Sequence, residues 1–209
     1  MNTLIGKKIG MTRVYDDAGV QVPVTVVQVG PCTVVQRKRA QTDGYEAVQI
    51  GFGEQKESRL AKPLQGHFKK AGAKPAQLLR EVRLAKGEDA QVGEVLTAKA
   101  FEGVKFVDVL GHTKGRGFQG VVKRFKFGGG RAAHGGGWLR KPGSIGNREW
   151  PGRIFKNKRL PGHMGSVDVT TQNLRVVKVL ADDHALLLEG AVPGPVGGIV
   201  LVRKAIKKA

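Results

Sequence analysis

The chain has 209 residues, 40% of them hydrophobic, which is enough for one good-sized core or a core with a small appendage. Thirty-six Lys and Arg face seventeen Asp and Glu, and the resulting formal charge of +19 points to a polyanionic partner without saying anything about fold. A single cysteine excludes an internal disulfide, no run reaches the roughly 20 apolar residues of a membrane span, and the opening MNTLIGKKIGMTR lacks a signal peptide's apolar region. A cytoplasmic protein is expected, with no membrane partner.

The first hundred residues alternate short apolar runs with turn chemistry. Leu4–Tyr15 predicts a strand ending at Asp16-Asp17-Ala18-Gly19. Val20–Val29 predicts a second, with Val22, Val24 and Val26 on one face and Pro23 confined to an edge or a strand start. Gly30-Pro31 breaks the run and Cys32–Arg37 resumes it. Thr42-Asp43-Gly44 then predicts a turn before a strand over Tyr45–Phe52. Cys32, inside the apolar run CTVVQ, reads as a small packed side chain rather than a nucleophile.

Residues 56–76 change character. Pro63 opens a short helix that Gly72 closes, a small helical insertion whose His67 and lysines form a solvated face, with RNA contact as the alternative. Strands are expected next over Leu78–Leu84, Val92–Ala98 and Val104–Leu110. After residue 165 come Leu174–Leu180, a turn at Asp182-Asp183, Ala185–Glu189, the loop Pro193-Gly194-Pro195 and Ile199–Val202. A frayed basic tail should follow from Arg203. The expected class is mainly β: residues 1–110 plus 166–209 form a small barrel or sandwich, which the chain leaves and re-enters.

The segment left over, Gly111–Gly165, holds 15 of the 31 glycines and 13 of the 36 Lys and Arg, against one acid, Glu149. Its net charge is therefore +12, and it also carries six of the twelve aromatic residues. It has too few aliphatic residues to bury a core and too much like charge to collapse alone. Lys114, Arg116, Lys123, Arg124, Arg131, Arg140, Lys141, Arg148, Arg153, Lys156, Lys158 and Arg159 supply cations for phosphates, and Arg can also fork two hydrogen bonds or stack on a base. His134, Ser144, Asn147 and His163 add polar contacts. Trp138, Trp150 and Phe155 can stack on unpaired RNA bases or wedge against sugars, and for Trp138 and Trp150, set between glycines and arginines, RNA contact is favoured over core packing. For Phe118, Phe125 and Phe127, core packing and stacking both remain open. Irregular RNA suits this pattern better than B-DNA, which calls for a recognition helix or ribbon.

Catalytic patterns are weaker. Gly115-Arg116-Gly117-Phe118-Gln119-Gly120 fits G-x-G-x-x-G, yet the position about 20 residues on, where a ribose-binding acid belongs, holds Trp138-Leu139-Arg140-Lys141. No P-loop pattern occurs. His112, His134 and His163 lack zinc-ligand spacing, and Glu149 has no second carboxylate nearby for acid–base work. No catalysis, cofactor, metal or small-molecule substrate is expected. A dinucleotide-dependent enzyme and a free-standing RNA chaperone stand as the rival readings.

Phe101, Asp108, Gly111, Thr113, Gly115-Arg116-Gly117, Gly120 and Arg124 follow one another at a specific spacing. With them go the opening Gly6-Lys7-Lys8-Ile9-Gly10-Met11-Thr12-Arg13, Pro142-Gly143-Ser144-Ile145-Gly146 and Pro161-Gly162-His163-Met164-Gly165. Together they resemble the large-subunit ribosomal protein L-three family from end to end. The resemblance implies a translation-factor-like β-barrel with a long basic Gly-rich extension, residues 111–165, that runs through the large (23S) rRNA toward the peptidyl transferase centre. It also implies binding near the 3′ end of that rRNA early in subunit assembly, with ribosomal proteins L-fourteen and L-nineteen as neighbours. Gly143 to Pro151 would form the inner tip. Several relatives carry, at Glu149, a glutamine that some bacteria methylate, and a small residue at Trp150; the modifiable glutamine is absent here.

Overall fold

The computed structural model describes residues 2–85 and 87–208. Its strands, in chain order, are β1 (Thr3–Tyr15), β2 (Gln21–Val29), β3 (Cys32–Lys38), β4 (Ala47–Glu54), β5 (Ala76–Arg83) and β6 (Val95–Leu96). They continue with β7 (Phe106–His112), β8 (Phe118–Gln119), β9 (Gly162–His163), β10 (Asp168–Leu180), β11 (Ala185–Glu189) and β12 (Ile199–Lys204). Six of them close an antiparallel barrel in the order β1-β12-β7-β10-β11-β2, and β5-β4-β3-β6 form a second sheet. The chain divides into two compact units, residues 1–112 with 168–209, and residues 113–167.

Period-two alternation explains most of the barrel: Val27 and Val29, Val107 and Val109, Leu186 and Leu188, and Val200 and Val202 are each spaced by two and buried in one cluster. Adjacent Leu4 and Ile5, which alternation sends to opposite faces of β1, are buried in the same cluster, and Cys32, Val34, Val48 and Ile50 of the second sheet join it. Val22, Val24 and Leu187 gather in a smaller cluster with Val14, Val26 and Val177. Gly6 lets β1 and β2 close, since a Cβ there would stand 2.6 Å from the Gln28 carbonyl oxygen. Pro23 lies near the start of β2, opposite Arg13 and just beyond the last β11 pairing at Val24. Cys32 Sγ lies 3.5 Å from the Ile5 carbonyl oxygen, and burial pushes the thiol up to about 11, so it is a packed and inert side chain at neutral pH.

Several elements differ from the sequence pattern. The Thr42-Asp43-Gly44 signal caps one helical turn, α1 (Ala40–Asp43), with Gly44 left-handed. Helix α2 (Lys62–Ala71) runs through Gly66, closes at Gly72 and buries Phe68; His67 Nε2 is 2.6 Å from Gln49 Oε1. The strand expected over Val92–Ala98 shrinks to β6, because Gly93 turns the chain at φ +89 and a 3-10 turn over Ala98–Phe101 tucks Phe101 into the core. Strand β10 starts at Asp168, six residues before the expected Leu174. The tail from Arg203 is not frayed at its start: β12 runs to Lys204, whose N–H donates to the Asn2 carbonyl, and the N–H of buried Ala205 donates to that of Phe106.

One carboxylate organises the join between β7, β10 and β12. Asp108 is 2% exposed, accepts a 2.9 Å hydrogen bond from the Asn173 N–H and lies 3.3 Å from Arg203 Nη2. Asn173 sits at φ +57, where the β7–β10 register shifts between Thr171 and Leu174, so Asp108 satisfies the amide that this bulge frees from the ladder. At the surface, the Glu81 carboxylate and then Tyr45 hydrogen-bond the Lys38 ammonium, which raises the Lys38 pKa and holds Glu81 below the usual carboxylate range. Asp108→Ala strands the Asn173 N–H and one face of Arg203, and should cost about 2–4 kcal/mol. Urea unfolding measures this, with Asp108→Asn, which keeps an acceptor, losing less; a midpoint unchanged in the alanine variant would contradict the assignment.

Candidate nucleic-acid interface

The candidate interface springs from an antiparallel pair. His112 of β7 stands directly opposite Asp168 of β10, with Nδ1 2.9 Å from Oδ1, so the 55 residues between them leave and re-enter the barrel at adjacent positions. Within that unit a narrow neck forms first. The Thr113 N–H and hydroxyl both donate to the Val167 carbonyl, at 2.9 and 3.0 Å. The Arg116 N–H donates to Met164, the Met164 N–H donates to Gly117, and β8 pairs with β9. Gly165 makes the neck possible: its φ is +72, and a Cβ there would run into the Lys114 carbonyl.

Above the neck, one turn of helix, α3 (Val121–Phe125), buries Val121 and ends at left-handed Lys126. Arg124 braces this part of the unit. Its Nη1 donates to the Leu160 carbonyl at 2.7 Å, its guanidinium lies 4.9 Å from the Phe125 ring centre, and Gly162 leaves it room. Phe125 and Phe127 are half-buried against each other, 6.4 Å apart, whereas Phe118 is exposed with its ring T-shaped to His163. Packing therefore describes Phe125 and Phe127 and does not describe Phe118.

The other candidates stand in solvent. Lys114 and Arg116 lie on the outgoing side of the neck, Lys123 on α3 and His163 on β9. Arg131, His134, Trp138, Arg140 and Lys141 occupy one loop, followed by Ser144, Asn147, Arg148, Glu149 and Trp150. Arg153, Lys156, Lys158 and Arg159 line the return, Arg153 over the Phe155 ring at 5.4 Å. Each of these is exposed; Arg124 alone among the candidates is half-buried. Trp150 is 86% and Trp138 58% exposed, so neither supplies a core. Among the described residues, no Lys or Arg of the unit forms an ion pair with a carboxylate. Sequence reasoning did not find the bracing role of Arg124 or the neck role of Thr113; the glycine at 165 was the only local signal for the latter.

Fold and site together define a β-barrel protein with a polycationic, glycine-rich insertion. Among the described residues, no group of three or more His, Cys, Asp or Glu could hold a metal. The chain belongs to the family described as Ribosomal protein L3, whose sequence profile matches residues 70–186. It is 52% identical to the large ribosomal subunit protein uL3 of Pelotomaculum thermopropionicum over 98% of this chain and 97% of that one. The same protein of Geobacter sulfurreducens is 49% identical over the same shares, and that of Alkaliphilus metalliredigens 46% over 100% and 99%.

The neck geometry makes a local prediction. Gly165→Ala forces a left-handed alanine against the Lys114 carbonyl, and should lower hydrogen-exchange protection of the Arg116 and Met164 amides by about tenfold or more. Amides in β12 should keep theirs. Unchanged protection at Arg116 and Met164 would show that the neck does not depend on this glycine.

Proposed function

We propose that the protein is a structural constituent of the large ribosomal subunit that binds the large (23S) rRNA through residues 113–167. The observation that carries this is the surplus of cations in that stretch, thirteen against one carboxylate, twelve of them exposed and none neutralised within the chain among the described residues. Such a surface favours phosphates and gains from counterion release. The relatives bear the name of a large ribosomal subunit protein, which supplies the RNA. In this reading the barrel, 1–110 with 166–209, is the folded anchor and 111–165 the penetrating element. The tip at Gly143 to Pro151 would reach toward the peptidyl transferase centre. Binding near the rRNA 3′ end early in assembly, with L-fourteen and L-nineteen alongside, belongs to the same proposal.

The family is one of ribosomal structural proteins, not of enzymes. The dinucleotide alternative also lacks its frame. Gly115–Gly120 is followed by a helix of five residues, and every strand pairing is antiparallel, so no βαβ unit exists among the described residues.

A titration of the protein on a 23S rRNA transcript across a salt series tests the reading. Neutralising roughly 6–9 phosphates gives a log–log slope of about −4 to −8. Replacing residues 129–151 by a short Gly-Ser link removes Arg131, Arg140, Lys141 and Arg148, and should make the slope shallower by about 3. A slope near zero in the full chain would overturn the proposal. Stable retention on large-subunit particles in high salt separates a ribosomal constituent from a free-standing chaperone.

A further inference from the structure

The loop that follows α3 folds back on itself around an indole. The Gly130 N–H donates to the Leu139 carbonyl at 3.2 Å, and the Lys141 N–H to the Trp138 carbonyl at 3.1 Å. A Cβ at Gly130 would stand 3.2 Å from Trp138 Cδ1, and one at Gly136 2.9 Å from Nε1, so glycine backbone covers the pyrrole edge of the ring. Gly129, at φ +75 and against the Leu139 carbonyl, admits no side chain at all. The rest of the indole stays open. Beside it lies a cavity of about 340 Å³ lined by Phe127, Gly128–Gly130, Trp138 and Lys141–Gly143.

We propose that this cavity receives one unpaired nucleobase of RNA, stacked on the open face of Trp138, with Lys141 taking an adjoining phosphate. This rests on the RNA reading above and narrows it to a single-nucleotide site. Its size is at the small end of ligand sites, which run from roughly 300 to 1,000 Å³. The lining combines aromatic and proline surface with one ammonium and no carboxylate, and exposed Arg131 and Arg140 belong to the same loop. A bare anion would leave the aromatic lining unused, and an apolar peptide would leave the cations unmatched. A nucleotide uses both, through a base with two π-faces and a charged backbone beside it. The inward glycines keep the cavity open, since a side chain at Gly130 would grow toward Trp138.

The chain has two tryptophans, so Trp150→Phe leaves Trp138 as the sole indole reporter in the full-length protein. Titrating this variant with a 23S rRNA transcript, while filter retention reports binding independently, should quench Trp138 emission at least twofold. Adding Gly130→Val, which fills the cavity, should abolish the quench and weaken binding by about 5- to 100-fold, with the salt slope unchanged. Trp138→Phe, which keeps a stacking face, should retain affinity within about threefold, and Trp138→Ala should not. Binding with unchanged Trp138 emission overturns the nucleobase site and leaves the RNA reading intact. A quench that persists undiminished in the Gly130→Val variant also overturns it, because the base then lies elsewhere. Absence of binding on the filter overturns both.

Discussion

Like-charge repulsion inside residues 113–167 is the constraint on which the rest of this structure depends. With one carboxylate among thirteen cations, this unit has no internal ion pairs to draw on, and with Val121 its only buried hydrophobic it has almost no core. Its order comes from cheaper devices: backbone hydrogen bonds at the neck, a guanidinium set on a phenyl ring, and glycines where the chain must crowd or turn left-handed. None of these buries much apolar surface, the usual source of folding stability. The barrel must therefore hold both ends of the insertion.

It does so through β7 and β10. Closing a 55-residue loop costs about 3–4 kcal/mol beyond a constant, because the cost grows only as the logarithm of length. The ladder from Val109 to His112 of β7 against Asp168 to Thr171 of β10 offsets this by fixing the two ends side by side. Asp108 lies at the bulge that ends this register, where it occupies the amide of Asn173 and draws in Arg203 of the last strand. The family resemblance includes Asp108 in the same run as the glycines of the neck. The structure gives that run a physical unity: the carboxylate fixes the strands from which the cationic segment departs.

The barrel was largely legible in the sequence because its strands alternate and its turns carry Gly, Pro and Asp. Val22, Val24 and Val26 declare their shared face by spacing alone, and all three fall in one cluster. The exceptions have definite causes. Asp168–Asn173 is polar and half-exposed, and it is a strand only because β7 pairs with it. Val92 and Val95 advertise β-propensity but are exposed, and Gly93 breaks the run between them. In the candidate interface, charge revealed which residues face outward, since nothing in the segment could bury them. The internal frame was not readable, because Arg124 meets a carbonyl 36 positions away at Leu160 and no periodicity links the two.

The exposed tryptophans sharpen the division of labour that this architecture permits. Phosphate contacts made by Lys and Arg tolerate displacement, because a point charge in water loses little energy over an ångström. Stacking on an indole does not tolerate it, since dispersion falls away within a fraction of that distance. A segment held only by charge would therefore adhere to RNA without a fixed register. Trp138 has its pyrrole edge set against two glycines, Gly130 and Gly136, and its loop is closed by the hydrogen bonds from Gly130 to Leu139 and from Lys141 to Trp138. Trp150, 86% exposed, is far less enclosed. On the RNA proposed as partner, register should then be set at Trp138, and affinity by the cations spread over the rest of the unit.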